Sequence, residues 1–435
     1  MKTGPSFALL MLAACAVSPA GEQEARDAAE AAGAAYATPF ESRPLPAPGA
    51  GTTLAELLAL AASRHGELEA RWQEWRAALE EITQAGMQPT TAMLGVEHEL
   101  DGGAALDRTA LTLMSDAMDN LVWPGRLESK AAAALARAKV AARAFDAERL
   151  ALQRRVAEAW HALAQGDAEL ALLERLRALL AIAVPSIDAR VLGGAATQDE
   201  ALRARAALER LDAERARLRE TRPARLAALA ALLATDTPLA ALQPQLAELA
   251  PLRGEELALF AGLPAGNPAL ALRDEELAAA AAEIEARTWD RVPQFALGAM
   301  LRGDGVASLS GALTLPFLRG GAIEAAVRQA EAEHAAALVR RRQAGFDELA
   351  GLHAELAGLR ALEAEYAILA RDLLPSLRRL AELARTRWSA GMGPFTDAAS
   401  AAADVIDVER ALARLRAEHA AGRARLAERI GTLPG

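Results

Sequence analysis

The chain has 435 residues, of which 52% are hydrophobic but only 4% aromatic, so its apolar content is mostly Ala and Leu. Such a composition favours long helices. The formal net charge is −10, and basic residues are interspersed with acidic ones instead of forming one patch, so we expect no nucleic-acid partner.

The N-terminus has the features of a bacterial lipoprotein signal peptide. Met1 and Lys2 give a short positive start, residues 7–12 form an apolar core, and Leu12-Ala13-Ala14-Cys15 ends it with small residues. This tetrapeptide resembles a lipobox, which implies removal of residues 1–14 and acylation of Cys15, with palmitate among the acyl chains. The alternative is an ordinary signal peptide with an incidental cysteine. Cys15 is the only cysteine, which excludes intrachain disulfides and multi-cysteine metal sites.

The next segments change from a tether to helices. Residues 15–51 are rich in Ala, Glu and Pro and are predicted to be a lipidated tether. Thr53 and Glu56 then have the spacing of a capping box and open a helix. A second helix is predicted over residues 67–85, because apolar residues recur at helical spacing, namely Trp72, Trp75, Leu79 and Ile82.

A strand pattern follows these helices. Alternation of apolar and polar residues predicts strands at about 90–100 and 109–116, joined by a Gly-rich turn. From Pro124 the pattern is helical without a strong break to about Leu192. A helix of that length is far longer than a compact domain accommodates.

The second half of the chain repeats this order. Strands are predicted at about 294–302 and 306–315, and a second very long helix follows Pro316. We therefore predict a mainly α protein with a small β part, built from two tandem repeats. The repeats are placed at 52–234 and 269–435, with a Pro-rich irregular connector at 235–268.

Glycines and aspartates mark equivalent turns in the two repeats. Gly193 pairs with Gly391, and Asp199 pairs with Asp397 at the same offset. Before the second turn, apolar residues step by three and four positions, at Leu359, Leu362, Tyr366, Leu369 and Leu373. This seam predicts coiled-coil packing. A helical bundle without a pore would have the same seam, so the strands must separate the two possibilities.

The strands have the length that a membrane requires. Beyond the signal segment, no apolar run approaches the roughly 20 residues of a membrane-spanning helix. Each predicted strand has about 9 residues and an uncharged face, as a tilted bilayer-spanning strand does. Four such strands cannot close a barrel, and an open sheet edge in lipid leaves peptide groups unsatisfied, so other copies must complete the sheet. Trp123 and Phe317 lie just beyond a strand, where an aromatic interface belt or ordinary packing would place them.

The lipobox, the hairpins opening into very long helices and the duplicated glycine-to-aspartate turns together resemble the outer-membrane efflux (TolC-like) family, including its lipoprotein members. The resemblance extends over about residues 52–434. It implies a homotrimer with a twelve-stranded β-barrel in the outer membrane and an α-helical barrel through the periplasm. It also implies turns that close the conduit until a periplasmic adaptor (membrane fusion) protein and an inner-membrane pump engage.

The resemblance also implies roles for the two turns. Adaptor hairpins would dock there, at Gly193, Gly194, Thr197, Gly391 and Thr396. Asp397 matches a position where some members place a gate-ring carboxylate, whereas Ser400 stands where a second one can occur, which implies a weaker acidic gate. The alternatives are glycine-bearing turns without a partner and, for Asp397, an ordinary helix-capping role.

No catalytic, metal or cofactor pattern is present in the sequence. The six histidines lack metal-ligand spacing, and His419, in a charged helix, is expected to be exposed. Met114 and Met118 are four residues apart and are expected to fill packing gaps instead of binding a soft metal.

The predicted function is therefore passive conduction without catalysis. The chain would be an outer-membrane channel subunit of a tripartite efflux or type I secretion-like system for small molecules or metal ions, lipid-anchored and extending into the periplasm. The alternative is a lipid-anchored periplasmic coiled-coil scaffold or adaptor without a pore.

Overall fold

The computed structural model describes residues 16–45, 48–88, 92–98, 109–115, 122–252, 256–301 and 307–432. Most of these residues are helical, in α1 (Glu22–Ala32), α2 (Leu54–Arg64), α3 (Gly66–Gly86), α4 (Pro124–Leu192), α5 (Gln198–Leu232), α6 (Glu256–Gly266), α7 (Pro268–Thr288), α8 (Gly320–Ile368), α9 (Leu374–Ser389) and α10 (Phe395–Arg429). Within these ranges, no helix combines the length and the apolarity needed to cross a lipid bilayer. Cys15 and the predicted strand-joining turns lie outside the described residues.

The chain divides into two compact units. Unit 1 comprises Met1–Ala34, Ala70–Asp146 and Ala269–Gly345, and unit 2 comprises Ala35–Glu69, Ala147–Pro268 and Phe346–Gly435. Each unit thus takes residues from both halves of the sequence. Along the chain, both halves have the same order of elements, in which a helix is followed by a strand hairpin, a long helix, a glycine turn and a returning helix.

Part of the predicted tether, residues 15–51, is helical, namely α1. In unit 1, α1 packs on α3: Trp72 Nε1 donates to Ala29 O at 2.8 Å, and Arg26 donates to Leu79 O at 3.0 Å. Ala29 is buried at this contact. Small alanines give a weak hydrophobic signal in sequence, yet they let two helix backbones approach closely, which explains why composition did not reveal the packing.

The end of the predicted tether is held in unit 2 by a buried arginine. Arg43 donates to both carboxylate oxygens of Glu69 at 2.7 Å and to Thr38 O at 2.9 Å. The guanidinium of Arg43 lowers the pKa of the Glu69 carboxyl through these hydrogen bonds. Because a buried guanidinium is stable only when its donors are satisfied, these hydrogen bonds hold Arg43 against Glu69.

The four strands lie inside the four predicted segments: β1 (Ala92–His98), β2 (Thr109–Ser115), β3 (Phe295–Leu301) and β4 (Ala307–Leu313). They form one antiparallel sheet in the order β1-β2-β3-β4. Each hairpin is paired along its whole length, and in the described part of the chain β2 and β3 join at Leu113–Leu301 and Met114–Met300. Among the described residues, neither edge strand, β1 or β4, pairs with a further strand.

A π-helical turn at Leu369–Leu373 separates α8 from α9. Pro375, the second residue of α9, has no N–H to donate to the preceding turn, and the extra residue of a π turn absorbs such a mismatch. The predicted coiled-coil seam is therefore wrong at its end, since Leu359 is buried as expected but Leu374 is buried in place of Leu373, which is exposed. One inserted residue has moved the apolar face by one position.

The predicted connector is irregular only in part. Residues 235–252 lack helix or strand, but α6 lies within the predicted range and contains Pro264. Leu263 of α6 is buried in a cluster with Leu352, Leu356 and Leu359 of α8. Packing of this apolar segment outweighs the proline that predicted an interruption.

His419 is buried, and the prediction that it is exposed is wrong. Its Nε2 lies 3.1 Å from Glu363 Oε1, which also accepts from Leu252 N at 3.0 Å. Along α10, one stripe of buried positions recurs every three or four residues, at Leu412, Leu415, His419, Gly422 and Leu426, and alanines are buried beside it. His419 thus occupies a core position of the helix, although its sequence neighbours are charged.

Candidate functional site

The turns that join α4 to α5 and α9 to α10 have the same backbone design. In each turn a glycine has positive φ, 70° at Gly194 and 74° at Gly391. The backbone N–H of the next residue donates a hydrogen bond to the carbonyl five residues earlier. These bonds run from Ala195 N to Arg190 O at 2.8 Å and from Met392 N to Arg387 O at 2.9 Å. This is a Schellman motif, and a Cβ at its left-handed position would be strained, which explains the two glycines.

This geometry corrects the predicted pairing of the turns by one residue. The left-handed position fixes the register, so Gly391 corresponds to Gly194 instead of Gly193. Counting from the helix starts at Gln198 and Phe395, Asp397 then corresponds to Glu200 instead of Asp199. Both acidic residues are the third residue of their helices.

Thr197 caps the first returning helix, α5. Its Oγ1 accepts from Glu200 N at 3.2 Å, which satisfies one of the free N–H groups at the helix start. Asp199 lies beside it and forms an exposed ion pair with Arg203 at 3.0 Å. Of the predicted docking residues, Gly193, Gly194, Thr197 and Gly391 are exposed, and Thr396 is half-buried.

The second returning helix, α10, begins after Pro394, and its N-cap makes no side-chain hydrogen bond. Its first amide, Phe395 N, instead donates to Glu200 Oε1 at 2.5 Å. A carboxylate from the first turn therefore binds the helix start of the second turn. Sequence reasoning missed Glu200, although Thr197 and Glu200 have the same spacing as Thr53 and Glu56.

Asp397 is exposed in the first turn of α10. The alternative that it caps this helix is wrong, because the N-cap position belongs to Pro394. A negative charge at a helix N-terminus is favourable by itself, because the helix dipole is positive there. Ser400 Oγ donates to the backbone carbonyl oxygen of Asp397 at 3.3 Å, and not to its carboxylate.

An apolar cluster of α4, α5 and α10 lies beneath the two turns. Its buried residues include Leu176, Leu180, Ala201, Ala204 and Phe395. The Trp388 and Phe395 rings meet edge to face at 5.5 Å. Two grooves of about 430 and 260 Å³ open beside Phe395, which lines both.

Aromatic residues gather at the end of the sheet in unit 1. Trp123 follows β2 and donates from Nε1 to Pro293 O at 2.7 Å, and its ring meets Phe295 at 5.2 Å. Both rings remain about 40% exposed, at 41% and 44%. Phe317, which follows β4, is 71% exposed.

In the described part of the chain, no group of three or more His, Cys, Asp or Glu side chains is placed to hold a metal ion. The buried histidine His161 has a pKa lowered to about 4 by desolvation. It lies within α4, away in sequence from both turns.

Residues 263–432 match the family model of the outer membrane efflux protein. Comparison with curated protein sequences gives no match. Among solved structures, the chain is similar to the outer membrane protein VceC of Vibrio cholerae, with 18% identity, a TM-score of 0.73 and coverage of 87% of this chain and 96% of that chain. It is also similar to the MtrE outer membrane channel of Neisseria gonorrhoeae, with 21% identity, a TM-score of 0.71 and coverage of 87% of this chain and 89% of that chain.

A third similar structure is the CmeC outer membrane channel of Campylobacter jejuni, with 15% identity, a TM-score of 0.71 and coverage of 91% of this chain and 90% of that chain. These likenesses extend over nearly the whole chain and establish the fold. Residues 263–432 are thus similar to outer membrane efflux proteins, and the chain shares its fold with solved outer-membrane channels.

Proposed function

We propose that this chain is the outer-membrane channel subunit of a tripartite efflux or type I secretion-like system, a passive conduit for small molecules or metal ions. The observation that supports this most directly is the four-stranded sheet, whose two edges are unpaired among the residues that the structure describes, on a fold shared with outer-membrane channels. Backbone groups on an open edge cannot remain unpaired in lipid.

Three copies would complete the sheet as a twelve-stranded barrel. In each copy, β1 would pair with β4 of a neighbour, and every edge would be closed. Exposed apolar side chains on the strands, Val96, Phe295 and Leu313, fit a lipid-facing surface. The exposed Trp123 and Phe317 at the end of the sheet fit an aromatic belt at the membrane interface.

The two turns of unit 2 would form the docking and gating end of the conduit. Exposed backbone at Gly194 and Gly391 fits docking of a periplasmic adaptor protein, which in turn would engage an inner-membrane pump. Asp397 is exposed near its turn, so three copies would place three carboxylates around one axis. Such a ring attracts cations and repels anions.

Acylation of Cys15 would anchor each copy to the outer membrane. Val17, two residues after Cys15, donates its N–H to Gly86 O at 3.0 Å, close in sequence to the start of β1. An N-terminal anchor is thus compatible with strands that enter the same membrane.

The test is purification of the full-length protein from outer-membrane fractions, followed by recordings in planar lipid bilayers. We expect a heat-modifiable trimer that requires detergent for extraction and conducts ions. A protein that forms no heat-modifiable trimer and conducts no ions would contradict the proposal. That result would favour the alternative, a lipid-anchored periplasmic scaffold or adaptor.

A further inference from the structure

Two Thr-x-x-Glu sequences begin helices in this chain, and their glutamates bind different partners. Before α2, Glu56 N donates to Thr53 Oγ1 at 3.3 Å, and Thr53 N donates to Glu56 Oε2 at 2.8 Å. This is a capping box closed on itself. Before α5, the first bond is present between Glu200 N and Thr197 Oγ1, but the Glu200 carboxylate binds Phe395 N of another helix.

The start of α10 needs this partner because of its own sequence. A helix leaves its first amides without intrahelical acceptors. Pro394 occupies the N-cap position, and a proline side chain has no acceptor to offer. Glu200 Oε1, at 2.5 Å, supplies the missing acceptor from 195 residues away in sequence.

Apolar packing joins the same two helix starts. Phe395, the first residue of α10, is buried in one cluster with Ala201 and Ala204, which follow Glu200 on α5. Separation of the helix starts would therefore expose an aromatic side chain and also leave the Phe395 N–H without its partner. The hydrogen bond adds direction to a contact that is otherwise nonspecific.

We propose that Thr197 and Glu200 form a split capping box, which couples the two turns so that the starts of α5 and α10 open and close as one unit. Thr197 caps α5, while Glu200, from the same turn, caps α10. The device is independent of whether the protein conducts ions, because it concerns only contacts within one chain.

The first experiment measures hydrogen exchange by mass spectrometry on the full-length protein in detergent. Glu200→Ala should raise the exchange rate of peptides covering residues 395–400 by about 2- to 30-fold, the factor that loss of a helix cap produces. Glu200→Gln keeps an acceptor oxygen and should retain most of the protection. The matched control is Glu56→Ala, which should affect only the start of α2. Unchanged exchange at residues 395–400 in Glu200→Ala would overturn the assignment of the cap.

The second experiment tests the coupling. Thr197→Ala removes the cap of α5, and in the otherwise native chain it should also raise exchange at residues 395–400. A background of Glu200→Ala with Pro394→Ser gives α10 a local cap, so Thr197→Ala should then affect only the start of α5. If the effect still reaches residues 395–400 in that background, apolar packing alone couples the turns, and the split capping box is overturned.

Discussion

At the scale of single residues, one position in two equivalent turns has two environments. Glu200 and Asp397 are both the third residue of a returning helix, where the helix dipole favours a negative charge. The longer Glu200 reaches a neighbouring helix start, whereas the shorter Asp397 lies at the surface. Their roles differ because the Glu side chain is longer and because a helix start lies within its reach, and not because of charge.

The proposed gate predicts a specific effect of removing the Asp397 charge. A ring of three carboxylates within low-dielectric walls strengthens the local field. Asp397→Asn should therefore reduce cation selectivity and inhibition by multivalent cations in single-channel recordings, without lowering the yield of trimer. Asp407→Asn, an exposed change of the same charge on the same helix but turned about 80° away from Asp397, is the matched control. Unchanged selectivity in Asp397→Asn would contradict the gate role while leaving the channel proposal intact.

His161 predicts how stability depends on pH. Burial lowers the pKa of His161 from 6.5 in the unfolded chain to about 4 in the folded chain. At pH values between these two, the unfolded chain binds up to one more proton than the folded chain. Stability should then fall as pH falls through this window, by about 3 kcal/mol in total. His161→Leu should remove this part of the pH dependence in thermal unfolding followed by circular dichroism. Leu163→Ala, a buried change without a proton, should lower stability equally at every pH.

At the scale of elements, the π-helical turn determines which leucine is buried at the start of α9. Leu374 is buried and Leu373 is exposed, because the turn inserts one residue before them. Leu374→Ala should lower the free energy of unfolding by about 2–5 kcal/mol, as buried leucines do. Leu373→Ala should change it by roughly 0.5 kcal/mol or less. Equal effects of the two changes in denaturant unfolding would place both leucines on the same face and contradict the shifted register.

The strands predict a difference between neighbouring positions. Leu309 lies in the middle of β4 among alternating apolar positions, and Ser310 is the next residue; successive strand residues belong to opposite faces. Leu309→Lys should impair membrane insertion, because a cation at the lipid face near mid-bilayer costs about 2–4 kcal/mol. Ser310→Lys should be tolerated, since its face would meet water. Equal amounts of both variants in outer-membrane fractions would mean that β4 does not span a membrane.

At the scale of the whole molecule, anchoring and folding should be separable. Cys15 is the only cysteine, whereas the residues from Val17 onward are bound by protein contacts such as the bond to Gly86 O. Cys15→Ser should therefore abolish incorporation of labelled palmitate and still give a folded trimer. Persistent labelling of the Cys15→Ser protein would contradict the lipobox assignment, and loss of the trimer would show that the anchor also supports assembly.

The sequence by itself determined the long helices and the strands of this protein, because their periodicity is local. Repeats of 3.6 and 2 residues distinguished α4, from Pro124 to Leu192, from the strands, and burial of Trp72, Trp75, Leu79 and Ile82 follows from their helical spacing. The order of these elements also carried the resemblance to outer-membrane efflux proteins. Each of these signals is read within a window of one or two turns of chain.

Only the tertiary structure decided which faces meet. The bond from Phe395 to Glu200, the burial of His419 against Glu363 and the packing of α1 on Trp72 each join residues far apart in sequence. A local pattern gives no information about such partners, because a charged or small residue has the same appearance in sequence whether its partner is water or another helix. The structure also decided how the two turns correspond. Gly193 and Gly194 are adjacent, and the sequence does not show which of them takes the left-handed conformation. The hydrogen bonds that close the helix end place Gly194 there.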